Sequence, residues 1–79
     1  MSVIVYSKDD CAPCVMVKKY LDRRGIAYTV RNIKENQWRD KLAEEYHVTM
    51  VPVVVFSDDP RHVVVGYNMN RMAEIIRQL

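Results

Sequence analysis

Apolar and polar positions alternate along this chain in blocks that predict seven elements. Val3-Ile4-Val5-Tyr6 is a short, almost wholly apolar and largely β-branched run, the pattern of a central strand covered on both faces. After the polar loop Ser7–Asp10, Cys14, Val17 and Leu21 recur at helical spacing, with Lys18, Lys19, Asp22 and Arg23 off that stripe. Pro13 suits a helix start, where its missing N–H costs nothing, and Gly25 suits the stop. A second strand is expected over Ile26–Ile33, with Ile26, Tyr28 and Val30 alternating against Ala27, Thr29 and Arg31. Trp38, Leu42 and Tyr46 then form one stripe of a second helix. Val53–Phe56 is a third strand, Ser57–Pro60 a turn, and His62–Val65 a fourth strand. Met72, Ile75, Ile76 and Leu79 mark a closing helix that Asn68 or Asn70 can cap.

The order β-α-β-α-β-β-α predicts an α/β fold. Strands one and two, joined through a helix, should be parallel, and strands three and four, joined by a tight turn, antiparallel. A mixed four-stranded sheet flanked by three helices gives every apolar stripe a partner. Residues 1–79 show no repeat, linker or compositional break and read as a single domain.

Composition narrows the function classes. Seventy-nine residues, 49% hydrophobic and 28% charged with two Gly and three Pro, exclude collagen-like and low-complexity chains. Thirteen valines favour a sheet. A net charge of +2, spread along the chain, is no footprint for nucleic acid or anionic lipid. The longest apolar run, Met50–Phe56, falls far short of the ~20 residues of a membrane span and contains Pro52. With no leader-like N-terminus, the expected location is the cytoplasm, and the expected state is a monomer.

The chemistry concentrates in Cys11-Ala12-Pro13-Cys14. A bridge closing so short a loop adds little stability, so these cysteines read as reactive groups rather than a staple. Placed after a strand and opening a helix, a thiol meets unpaired backbone N–H groups and the positive end of the helix dipole, both favouring thiolate. The spacing makes Cys11 the candidate nucleophile and Cys14, one turn on, the resolving thiol. Lys8 is a candidate pKa-tuning residue that favours the thiolate, while Asp9 and Asp10 oppose it. The only histidines, His47 and His62, do not complete a zinc pattern and read as surface residues, so no metal is expected. No separate cofactor is expected either: the Cys11–Cys14 dithiol and disulfide would be the redox centre. Two inert buried cysteines on a helix face are the alternative. Trp38 reads as packing, and Tyr67 as equally suited to burial and to an exposed contact.

Thr49-Met50-Val51-Pro52 precedes the third strand, and Pro is acceptable at a strand's first position. Strand, Cys-x-x-Cys, helix, Val-Pro, strand and a Gly turn into the last helix together resemble the thioredoxin superfamily. Within its glutaredoxin-like branch the chain is most similar to the NrdH redoxins. Leu21-Asp22-Arg23-Arg24-Gly25-Ile26-Ala27-Tyr28 and Val51-Pro52-Val53-Val54-Val55 carry the resemblance, with Val3–Tyr6, Ser7–Cys14 and Gly66-Tyr67; it covers essentially the whole chain. The resemblance implies a cis Val51-Pro52 step facing the dithiol, and Cys11 as the attacking thiol. It further implies substrate contacts at Val51, Pro52, Gly66 and Tyr67. The implied function is reduction of protein disulfides. Ribonucleotide reductase or another disulfide-bearing protein would be the partner, and thioredoxin reductase the source of electrons. The family's Ser-Gly-Phe-Arg-Pro-Asp-like run is replaced here by Val65-Gly66-Tyr67-Asn68-Met69-Asn70. The Gly-Gly and acidic residue by which glutaredoxins hold glutathione are also missing, which disfavours that substrate. A glutathione-dependent glutaredoxin and a non-catalytic thioredoxin-like binding module are the competing readings.

Overall fold

The computed structural model describes residues 2–79. Its elements run β1 (Val3–Ser7), α1 (Ala12–Arg23), β2 (Thr29–Asn32), α2 (Asn36–Tyr46), β3 (Val53–Phe56), β4 (Val63–Val65) and α3 (Met69–Gln78). The sheet order is β2-β1-β3-β4. β1 and β2 are parallel, while β1–β3 and β3–β4 are antiparallel. The mixed four-stranded sheet with three helices is the expected fold.

Strand alternation divides the core into two layers. Val3, Val5, Val54 and Phe56 point to one face, where they pack with Val17 and Leu21 of α1 and with Met72 and Ile75 of α3. Ile4, Tyr6, Val53 and Val55 point to the other, where Leu42 of α2 covers them and Trp38 and Tyr46 pack alongside. Both central strands are therefore buried along their whole length, which explains their near-continuous apolar sequence.

Several expectations are corrected: Ser7 extends β1 instead of opening the loop, β2 ends at Asn32 rather than Ile33, and β4 begins at Val63 rather than His62. The second strand starts at Thr29, not Ile26, because Ile26 is used to close α1. Its N–H donates to Leu21 O (3.0 Å) and that of Gly25 to Asp22 O (3.0 Å), a Schellman closure with Gly25 at φ 67°. Ile26 then packs against the cluster that holds Leu21, and Val30, on an edge strand, is 45% exposed. Leu79 lies beyond α3 and is exposed. His62 is half-buried rather than on the surface, its ring beside Asp59. The closing helix is capped by Asn68, whose Oδ1 accepts from Arg71 N at 3.0 Å. The Val51–Pro52 peptide is cis, in keeping with the resemblance.

Candidate active site

Sheet register gathers the site at one end. Ser7, the last residue of β1, pairs with Asn32, the last of β2. Antiparallel pairing of Tyr6 with Val53 sets the start of β3 at the same end, and pairing of Val53 with Val65 adds the end of β4. The loop Lys8–Cys11, the Val51-Pro52 step and Gly66-Tyr67 thus leave the sheet together. Gly66 N–H donates to Pro52 O at 2.8 Å, which ties two of the expected substrate-contact segments to each other. Gly66 holds φ 78°, the left-handed conformation that glycine adopts without penalty.

Cys11 is the N-cap of α1, in extended conformation, and its Sγ accepts the N–H of Cys14 at 3.2 Å. Its carbonyl receives the N–H of Val15. Sulfur therefore occupies the place of a capping side-chain oxygen, against a free backbone donor and the positive helix end. Cys11 and Cys14 are joined as a disulfide, with Cα atoms 5.2 Å apart. Their exposures differ: Cys11 keeps 8% of its surface and Cys14 none. An incoming sulfur can reach only the first, and the second is held behind it on the core face of α1. Pro13 falls in the first helical turn, where its lack of an N–H leaves no hydrogen bond unmade.

Around the pair, Lys8, Asp9 and Asp10 are exposed. Asp10 turns the chain into Cys11 with φ 52°. Asp9 accepts from Asn32 Nδ2 at 3.0 Å and from Lys34 Nζ at 3.4 Å. Neither Asn32 nor Lys34 figured among the expected site residues; the parallel β1–β2 pairing was the signal that could have placed them. Tyr67 is 38% exposed and Met50, next to Val51, is 56% exposed, so apolar surface is open to solvent at this end of the sheet. The perturbed titrating groups lie elsewhere. Arg61 hydrogen bonds hold Asp59 down to about 2 in the β3–β4 turn, and burial pushes Tyr46 upward. Among the described residues no cluster of three or more His, Cys, Asp or Glu could hold a metal. A cavity of about 340 Å³, lined by Val3, Thr29, Arg31 and Asp58 among others, opens at the opposite end of the sheet from the dithiol.

A glutaredoxin family model matches residues 3–63. The glutaredoxin-like protein NrdH of Lactococcus lactis subsp. cremoris (strain MG1363) is 38% identical over 56 residues, covering 71% of this chain and 78% of that one. The crystal structure of the thioredoxin-like protein BC3987 superposes with a TM-score of 0.85 at 29% identity, covering 94% of this chain and 99% of that one. The NrdH-redoxin of Escherichia coli shares the fold, with a TM-score of 0.74 at 20% identity, over 100% of this chain and 95% of its own. With the family model spanning most of the chain and the cysteine pair at the head of α1, the chain belongs to the glutaredoxin family of the thioredoxin superfamily, as an NrdH-like thiol–disulfide oxidoreductase.

Proposed function

We propose that the protein reduces disulfides in other proteins, with ribonucleotide reductase as the partner and thioredoxin reductase as its own source of electrons. The observation that carries this reading is the unequal placement of the two sulfurs. Cys11, at a helix N-terminus with a backbone donor on its sulfur, keeps 8% of its surface exposed, and Cys14 is wholly buried one turn behind it. In the reduced protein the Cys11 thiolate attacks one sulfur of the partner's disulfide. An S–S bond forms between Cys11 and the partner, and the partner's other sulfur leaves as thiolate. Cys14, deprotonated, then attacks Cys11 Sγ; the partner's second thiolate leaves and the Cys11–Cys14 disulfide remains. Two electrons have passed to the partner. The dithiol carries them itself, and a reductase restores it.

Docking uses the segment ends gathered beside the dithiol. The backbone of Val51 pairs with an extended stretch of the partner as an added strand would. Pro52 and Gly66 shape the floor, Tyr67 offers exposed apolar contact, and Lys8 favours the thiolate electrostatically. The protein acts as a cytoplasmic monomer. No helix among the described residues is long and apolar enough to cross a membrane.

The test is a coupled assay run with two electron sources, NADPH with thioredoxin reductase and glutathione with its reductase. Turnover with the first and none with the second is the expected result; the reverse would make the protein a glutathione-dependent glutaredoxin. Cys11→Ser should abolish reduction of insulin, and Cys14→Ser should accumulate a mixed disulfide at Cys11 detectable by mass. A fully active Cys11→Ser protein would mean that the cysteine roles are assigned wrongly, whereas a wild-type Cys11 that is not alkylated near pH 6 would leave the non-catalytic binding module as the better reading.

A further inference from the structure

The loop that delivers Cys11 carries two carboxylates, Asp9 and Asp10, whose charge works against a neighbouring thiolate. Close along the chain, only Lys8 opposes them. The fold brings a second cation from the far side of the β1–α1–β2 crossover. Lys34 Nζ donates to Asp9 Oδ2 at 3.4 Å, and Asn32 Nδ2 donates to Asp9 Oδ1 at 3.0 Å. The backbone N–H of Lys34 donates in turn to Asn32 Oδ1 at 3.0 Å, so both oxygens of Asp9 are engaged and the amide that engages one of them is itself fixed. The parallel register that sets Ser7 beside Asn32 makes this contact possible. The residue between Asp9 and Cys11 is the left-handed Asp10, so whatever holds Asp9 also holds the turn that presents the sulfur.

We propose that Lys34 and Asn32 are positioning residues that neutralise and anchor Asp9, and thereby set how readily Cys11 ionises. This rests on Cys11 being the attacking thiol. Lys34 and Asp9 side chains are 70% and 67% exposed, so the pair adds little to fold stability. Its consequence falls on the neighbouring sulfur instead. The charged and titratable groups beside the cysteine loop in the chain and in the sheet are Lys8, Asp9 and Asp10 on the loop itself, Lys34 and Glu35 after β2, the Cys14 thiol on α1, and the Tyr67 phenol after β4. The Met50–Pro52 segment brings none. Within this set Lys34 is the cation in contact with a carboxylate.

The experiment measures the pH dependence of Cys11 alkylation by iodoacetamide in the reduced full-length protein, at low salt, with the modified residue identified by mass. Lys34→Gln leaves the Asp9 charge unopposed, and the midpoint should rise by about half a pH unit, the order expected between exposed charges in a high-dielectric setting. Asp9→Asn should move it by a similar amount in the opposite direction. The double variant, having lost both charges, should return close to wild type, as should Lys34→Arg. Both shifts should shrink in 0.5 M salt, to which ~3–5 Å screening lengths apply. A merely structural tie predicts something else: Lys34→Gln and Asp9→Asn would shift the midpoint in the same direction, or neither would shift it. Either result overturns the proposal, and so does a Lys34→Arg protein that behaves like Lys34→Gln. A wild-type Cys11 that resists alkylation at every pH overturns the proposal together with the function it rests on, which separates the two failures.

Discussion

Gly25 and Gly66 hold φ of 67° and 78°, and neither has a heavy atom within 4 Å of where a Cβ would stand. Replacing either by Ala therefore brings backbone strain without a clash, a cost of roughly 1–2 kcal/mol. The two differ in what they hold. Gly25 closes α1 through its bond to Asp22 O, and Gly66 joins β4 to the Val51-Pro52 step through its bond to Pro52 O. Gly25→Ala and Gly66→Ala should both lower the melting temperature by several degrees, since ~1 kcal/mol shifts a domain of this size by ~4–8 °C. Only Gly66→Ala should also lower kcat/KM for a protein disulfide, measured at a temperature where both variants are folded. Equal kinetic losses would mean that Gly66 has no part in docking. At the same scale, the roles of Cys11 and Cys14 were legible because helix-opening position and spacing are written in the sequence. Asn32 and Lys34 were not, because their approach to Asp9 depends on strand pairing across more than twenty residues.

Among the elements, those with long apolar runs or clear end signals were read closely. β3 matches its expected span and β1 overruns its own by one residue, Ser7; Val-rich runs mark both, as Pro13 and Gly25 mark α1. β2 was read too long. Its first residue in pattern, Ile26, looks like a strand residue but is spent on the Schellman closure and the Leu21 cluster. Periodicity alone does not separate those two uses of an apolar side chain. The ends of two elements carry further predictions. Asn68→Ala removes the acceptor for Arg71 N–H, and should cost about 1 kcal/mol and ~4–8 °C in melting temperature. In the β3–β4 turn, Asp59 accepts from the Arg61 guanidinium and from the Arg61 backbone N–H, which hold its carboxyl down from the usual 3.8 to about 2. A carboxyl lowered by folding contributes stability above its unfolded range, and that contribution drains as pH falls from about 4 towards 2. Asp59→Asn should therefore flatten the melting curve's dependence on pH in that window and leave it little changed above pH 5. An unchanged slope between pH 4 and 2 would show that the turn contributes nothing to acid sensitivity.

The two faces of the whole molecule are unequal. Nine buried side chains form the layer shared with α1 and α3, and five form the layer under α2. On α2 only Leu42 is fully buried; Trp38 and Tyr46 are half-covered, and the N-cap, Glu35, makes no side-chain capping bond. What steadies Trp38 from above is Arg31, whose guanidinium lies 4.2 Å from the indole centroid and donates to Tyr6 Oη at 3.0 Å. That helix thus depends on one aliphatic anchor, whereas α1, which carries the dithiol, has Val17 and Leu21 in the larger layer and a fully buried Cys14 besides. Leu42→Ala should cost ~2–5 kcal/mol, a large part of the ~5–15 kcal/mol typical of a domain. The loss should not be shared evenly. Because α2 has little else to hold it, its amides should exchange with deuterium well before those of α1, by local opening rather than global unfolding. Cys11 alkylation should be unchanged at 25 °C provided the variant remains folded, since the cap at Cys11 lies on α1 and does not draw on the α2 layer, although Val51 packs against that layer. If α1 and α2 amides lose protection together in Leu42→Ala, the two layers unfold as one unit and the dithiol is not insulated from the weaker face.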